Sequence, residues 1–107
     1  METKMMYEFA VSQIAWYNRQ TEFCKRQIEW CNKELKRERA NDKEISKYAL
    51  ETEPNNPITV KLFSGNYIGT ETRKLINERA KYYREIKRNA ERITHYKREA
   101  EKLSKYL

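Results

Sequence analysis

The residues best suited to chemistry are two cysteines and one histidine, and their spacing argues against a reactive or metal-binding site. Cys24 and Cys31 are seven residues apart. On a helix they would lie on one side but about 10 Å apart along the axis, too far for an intrachain disulfide. His95 is distant in sequence, so this set lacks the tight ligand spacing of a zinc site. We expect two small buried thiols, with a symmetric interchain disulfide or a shared metal as the alternative.

No arrangement of side chains predicts catalysis. The carboxylates fall mostly on solvent-facing helix positions, and no Ser-His-acid or Cys-His pairing is suggested. The two glycines, Gly65 and Gly69, lie at turns, so the chain has no glycine-rich phosphate loop. His95 stands four residues after Glu91, and we expect a surface ion pair rather than a general base. We therefore predict a protein that is not an enzyme and has neither cofactor nor metal.

Positive charge is concentrated in the second half of the chain. Residues 1–60 contain ten lysines and arginines and ten acids, whereas residues 61–107 contain 13 and 6, which accounts for the whole net charge of +7. Two adjacent helical columns of the second half form one line of cations that we call the basic row: Lys74, Lys81, Arg84, Arg88, His95, Arg98, Lys102 and Lys105. Such a row is the candidate anion-binding site of this sequence.

The first helix provides a comparison for the basic row. Arg26 and Lys33 stand four residues after Glu22 and Glu29, the favourable order for helical ion pairs. In the basic row like charges are stacked instead, which suits an anionic partner. Nucleic acid, free or in a nucleoprotein complex, is the first candidate, because releasing phosphate counterions drives binding to lysine and arginine rows. No known nucleic-acid-binding motif accompanies the row. A merely solvated face, an acidic protein and a small anionic nucleotide held between subunits are the alternatives.

A column of aromatic residues marks a second face of the first helix. Its members recur every seven residues, with a line of glutamines beside them: Phe9, Trp16, Phe23 and Trp30, with Gln13, Gln20 and Gln27. Four large rings in line exceed the apolar patch normal for a soluble monomer. We expect this aromatic column to form the interface of a homo-oligomer. An open groove for a client peptide or for stacked bases is the alternative.

The elements that carry these residues are long helices. The 107 residues allow one domain, 1–107, and 36% charged residues with two glycines and two prolines are typical of long charged helices. Apolar residues repeat every seven positions from about residue 5 to 36, the pattern of a coiled-coil seam. No apolar run reaches membrane-spanning length and no secretory signal is visible. We expect a cytoplasmic protein, in the host cytosol if viral, with no membrane partner.

The pattern predicts a mainly α fold in the order long helix, short β-hairpin, long helix. The first helix should cover about 4–51, with a possible break at 40–42 where Asn41 and Asp42 are good helix caps. After Pro54 and Pro57, alternating apolar residues predict a β-hairpin over about 57–69, and a second helix follows over about 72–106. Phe63 and Tyr67 would form the hairpin tip. The two helices should pack antiparallel as a coiled-coil hairpin that assembles as a homo-oligomer.

This order of elements resembles the beta-type subunit of prefoldin over the whole chain, centred on Pro57 to Ile68. The resemblance implies a chaperone or assembly scaffold whose coiled-coil arms hang from hairpins that form a barrel. The small size and the lysine, tyrosine and asparagine content are also similar to accessory proteins of phages and other mobile elements, which often inhibit a host factor. The leading hypothesis is such a coiled-coil binding protein, acting on nucleic acid or a nucleoprotein host-defence complex through the basic row.

Overall fold

A computed structural model describes residues 2–107 as three helices. Helix α1 covers Glu2–Thr52, α2 covers Pro57–Phe63 and α3 covers Thr70–Ser104. The mainly helical fold is confirmed, whereas the β-hairpin at 57–69 is wrong, because no strand occurs anywhere in residues 2–107. Two compact units are present: Met1–Ile28 with Ala80–Leu107, which we call the terminal unit, and Glu29–Arg79, which we call the central unit.

Helix α2 replaces the hairpin because Asn56 and Pro57 start a helix. The side chain of Asn56 accepts hydrogen bonds from the amides of Ile58 at 3.0 Å and Thr59 at 3.4 Å. Pro57 takes the first helical position, where its missing N–H costs nothing. Apolar residues that alternate over only a few positions are compatible with a strand and with a short helix alike. The resemblance to prefoldin is centred on this segment, so its central feature, the β-hairpin, is absent from residues 2–107.

The cap on α2 can be tested directly. Asn56→Ala removes the acceptor for two otherwise unpaired amides, so we expect a loss of about 1 kcal/mol in local stability. Hydrogen exchange at the amides of Ile58 and Thr59 should accelerate roughly fivefold, because exchange follows the local opening equilibrium. Asn55→Ala alters a neighbouring exposed asparagine that makes no side-chain bond within residues 2–107. Equal acceleration in both variants would contradict the capping role.

Helix α1 runs through residues 40–42 without a break, so the predicted interruption is absent. Asp42 does not cap its own helix. It is 6% exposed, and its Oδ2 accepts hydrogen bonds from the amide of Gly69 at 3.1 Å and from the hydroxyl of Thr72 at 2.6 Å. Asp42 therefore acts as a capping group for the start of α3. A carboxylate suits that place because the first helical amides are unpaired and carry partial positive charge.

The core of the central unit lies along the predicted seam. Cys31, Leu35 and Leu75 are buried there, next to the bonded pair formed by Asp42 and Thr72. A Cβ atom added at Gly69 would lie 2.6 Å from Oδ1 of Asp42. Glycine at this position lets the backbone approach the carboxylate closely enough to donate its amide.

The terminal unit packs the start of α1 antiparallel to the end of α3. Phe9 lies edge-on to Tyr96, and Phe23 lies edge-on to Tyr82. Residues later in α1 therefore contact residues earlier in α3. Tyr17 stacks on Tyr96 with ring centroids 6.2 Å apart. Ala10, Cys24 and Ile28 are the buried apolar residues of this unit. The antiparallel packing predicted from the seam is therefore confirmed within each unit, since in the central unit Asn32 bonds Arg79 and Asp42 bonds Thr72.

Candidate anion-binding face

The basic row lies on the exposed surface of α3 and the turn that follows it. All eight of its side chains are exposed. Seven belong to the terminal unit, and Lys74 belongs to the central unit. Two members make ion pairs, Lys74 with Glu71 at 3.4 Å and Lys102 with Glu99 at 3.9 Å. Both pairs are exposed and join residues three apart, so they contribute little and leave the cations available.

The remaining lysines and arginines of the row have no ion pair with any of residues 2–107. They are Lys81, Arg84, Arg88, Arg98 and Lys105. Arg84 and Arg88 are one helical turn apart, as are the neighbouring positions Lys81 and Arg84, so like charges face each other along the helix. Such pairs slightly destabilise an isolated helix. An anion placed over them would supply the missing charge.

The ion pairs that the sequence predicts on α1 are not formed. Neither Arg26 with Glu22 nor Lys33 with Glu29 forms an ion pair. Glu22 pairs with Lys25 at 3.3 Å instead. The long side chains on an exposed helix have alternative partners three and four residues away of similar energy, so sequence spacing alone does not select between them. What distinguishes α3 is therefore its charge rather than a lack of pairing alone.

The two units differ strongly in net charge. Ala80–Leu107 contains nine lysines and arginines against four glutamates, and Met1–Ile28 contains four against three, so the terminal unit carries +6. The central unit contains ten lysines and arginines against nine acids and carries +1. The positive field of the protein thus originates from the unit that carries most of the basic row, which favours association with an anionic partner there.

His95 contacts the aromatic core rather than Glu91. Its ring lies 5.0 Å from the ring of Tyr96, nearly perpendicular to it, and no ion pair joins it to Glu91. His95 also borders an open apolar groove of about 350 Å³ in the terminal unit, with Met5, Met6 and Phe9 on the opposite side. The spacing of charges along the helix predicted an ion pair for His95 and did not indicate that it lies next to this groove.

Asn89 is a buried polar residue that the charge and aromatic patterns did not single out. It is 7% exposed, and its Nδ2 has no hydrogen-bond partner among residues 2–107. It borders a small cavity of about 150 Å³ together with Tyr17, Glu85, Arg88 and Arg92. The sequence does contain a signal that Asn89 is buried, because it stands seven residues after Tyr82 and seven before Tyr96 in the seven-residue repeat. A lone asparagine in such a seam restricts register at a cost in stability.

The aromatic column lies at the edge of the helix contacts rather than wholly apart from them. Phe9 and Phe23 touch Tyr96 and Tyr82, yet remain 56% and 44% exposed, and Trp16 is 45% exposed. Trp30, in the central unit, is 49% exposed. The neighbouring glutamines are half-buried: Gln13, Gln20 and Gln27. The homo-oligomer that uses this face stays a prediction.

The two aromatic residues expected at a hairpin tip meet in a different setting. Phe63 ends α2, and Tyr67 lies in the loop between α2 and α3. Their ring centroids are 4.8 Å apart and both side chains are half-buried. Tyr67 therefore packs against the helix that replaces the strand, and it lines a cavity of about 530 Å³ in the central unit.

The cysteines occupy the core as expected. Both are free and buried. Burial, helped by Glu85, raises the pKa of the Cys24 thiol. Burial and then Glu78 raise the pKa of the Cys31 thiol, while Arg79 opposes the shift. Thiols of raised pKa are poor nucleophiles and poor metal ligands. Within residues 2–107 no group of three His, Cys, Asp or Glu side chains is arranged to hold a metal ion.

None of the helices in the described part of the chain has an apolar stretch sufficient to cross a bilayer. Comparison with known proteins gives no relative to guide assignment: no protein-family model, curated protein or solved structure matches the chain. The features of the chain that bear on its function are therefore its own charge, burial and cavities.

Proposed function

We propose that the chain is a non-enzymatic binding protein whose basic row engages the phosphate backbone of a nucleic acid, free or within a nucleoprotein complex. The observation that carries the proposal is the concentration of exposed positive charge on α3, which gives the terminal unit a net charge of +6 against +1 for the central unit. By occupying such a backbone the protein would block other factors from it, the mode of action expected of a small inhibitor.

The dimensions of the row fit a duplex. Lys81 to Lys102 span 21 residues of α3, or about 32 Å at the helical rise. This length faces about nine base pairs of duplex at 3.4 Å each. Lysine and arginine contacts to phosphates carry no information about the bases, so we expect binding that depends on charge and not on base sequence.

Charge reversal in the row tests the proposal. Lys81→Glu/Arg84→Glu/Arg88→Glu should weaken binding of a 20-base-pair duplex at 50 mM salt by at least about 100-fold, since three charge-assisted interactions become repulsive. The slope of log affinity against log salt should fall by about three, because three side chains no longer neutralise a phosphate each. Fluorescence anisotropy at 50 to 300 mM salt measures both quantities, with an RNA duplex of the same sequence in parallel.

A matched control separates the row from net charge. Arg19→Glu/Arg26→Glu/Lys33→Glu makes the same change in total charge at exposed positions of α1. It should weaken binding less than about tenfold, through the long-range field alone. Equal losses in both triple variants would reduce the row to a general electrostatic effect. Absence of duplex binding by the unchanged protein at 50 mM salt would overturn the proposal.

The exposed apolar surface favours a second candidate, a chaperone or scaffold function. The groove between Met5, Met6, Phe9 and Tyr96 is open. Trp16, elsewhere on α1, is 45% exposed. A client bound through this surface would be held by apolar burial and would be retained as salt rises, whereas nucleic acid would be released. The same salt series therefore discriminates the two functions when a reduced, unfolded protein is used as the alternative ligand.

A further inference from the structure

The central unit contains a cavity that is separate from the basic row. It has a volume of about 530 Å³, within the range of small-molecule sites. One wall consists of residues 39–46 of α1, and the other is the loop between α2 and α3 together with the first turn of α3. Seven of its nine lining residues have a polar side chain, and those that matter below are Arg39, Asp42, Lys43, Ser46, Asn66 and Tyr67.

The cations of this cavity have no acidic partner. Arg39 and Lys43 are one helical turn apart on α1, and neither makes an ion pair or a side-chain hydrogen bond within residues 2–107. Two cations at this spacing repel each other unless an anion lies between them. The arginine fork and the lysine ammonium are the donors that phosphate groups prefer.

The single carboxylate of the cavity is already engaged. Asp42 is 94% buried, and its bonds from Gly69 and Thr72 direct its charge to the start of α3. Counting Asp42, Arg39 and Lys43 together, the lining still has a net charge of +1. The cavity therefore attracts an anion, although less strongly than its two cations alone would.

The loop side of the cavity offers a ring and free polar groups. Tyr67 packs against Phe63, with ring centroids 4.8 Å apart and planes tilted by 52°. The side chains of Ser46, Asn66 and Tyr67 make no hydrogen bond to any of residues 2–107, so each is available to a ligand. A planar ring can stack on Tyr67 and contact Ile68 while its phosphate reaches Arg39 and Lys43.

From this arrangement we infer that the central unit binds a small phosphorylated molecule with a planar ring, of the size of a mononucleotide, between Arg39, Lys43 and Tyr67. The site lies within one chain, in contrast to a nucleotide site shared between subunits. It is separate from the basic row, because none of its lining residues belongs to that row.

Titration of the ¹⁵N-labelled full chain with adenosine monophosphate tests the inference. We expect the amide resonances of Gly65, Asn66 and Ile68 to shift with a Kd of about 1 mM or tighter, as for a small ligand in a partly open site. Adenosine and inorganic phosphate, titrated separately, should each bind at least about tenfold more weakly, because each has only one of the two recognised groups. Absence of shifts at these amides, or equal affinity for inorganic phosphate, would overturn the inference.

Matched variants assign the binding to the cavity. Arg39→Gln/Lys43→Gln should weaken adenosine monophosphate binding at least about tenfold, whereas Lys36→Gln/Lys47→Gln removes the same charge outside the cavity and should leave the Kd within about twofold. Tyr67→Phe keeps the ring and should retain binding, and Tyr67→Leu should not. All four altered cations are exposed, so the variants are expected to fold, which far-ultraviolet circular dichroism checks. Equal losses in the two charge variants, or shifts confined to the basic row, would contradict the inference.

Discussion

Asp42→Ala is expected to lower the free energy of unfolding by about 3 kcal/mol, because two hydrogen bonds to a buried carboxylate are removed together. Gly69 and Thr72 would each keep a donor with no acceptor, and the start of α3 would lose its capping group. In a chain of this size such a loss lowers Tm by roughly 10–20 °C. Thermal and urea unfolding followed by circular dichroism at 222 nm measure the change.

A double-mutant cycle isolates the buried pair. Thr72→Val removes the hydroxyl donor, and the combined Asp42→Ala/Thr72→Val variant should be more stable than the sum of the single losses predicts, by about 1–2 kcal/mol. Asn41→Ala changes the exposed neighbour of Asp42 and should alter stability by less than about 0.5 kcal/mol. Strictly additive losses for Asp42 and Thr72 would contradict the direct bond.

Leu35→Ala is expected to be the most destabilising change in the apolar core, with a loss of about 3–4 kcal/mol. Leu35 is 2% exposed and lies between Cys31 and the buried pair at Asp42. Truncation removes buried methyl groups and leaves a cavity that a small core bordered by rigid helices fills poorly. The urea midpoint should therefore fall by more than it does for any exposed substitution.

Leu62→Ala provides the matched control for the same chemical change. Leu62 is 55% exposed on the short helix α2, where alanine is also a good helix former, so the loss should be below about 0.5 kcal/mol. A ratio of the two effects near one would mean that Leu35 is not in the core. Both variants belong to the central unit, so the same spectroscopic probe serves both.

The stability and the proposed binding of nucleic acid involve different side chains. The residues that support the core are buried on the inner sides of the helices, whereas the basic row is exposed throughout. Substitutions in the row should therefore leave unfolding almost unchanged, since surface changes away from such contacts are usually small. Because of this separation, weaker binding by a row variant would report the removal of binding groups rather than unfolding.

Much of the helical architecture follows from local patterns in the sequence. The seven-residue repeat that includes Ile28, Cys31 and Leu35 identifies the buried side of α1, because a helix returns the same face every two turns. The spacing of cations likewise predicts that the basic row lies along α3, and all of its side chains are exposed. Patterns of this kind depend only on residues within a few turns, so they do not need the partner helix.

The segment after Asn56 has the alternation of a strand, but the cap and the proline that favour a helix there are also local, so the sequence contained both signals. Tertiary structure decided the features that join distant parts of the chain. Aspartate is a residue type that commonly caps helices, yet the hydrogen-bond donors of Asp42 lie 27 and 30 residues further along the chain. The cavity near Arg39 exists only because the loop carrying Tyr67 folds back towards α1. Contacts at such separation depend on how helices pack, which composition and periodicity do not encode.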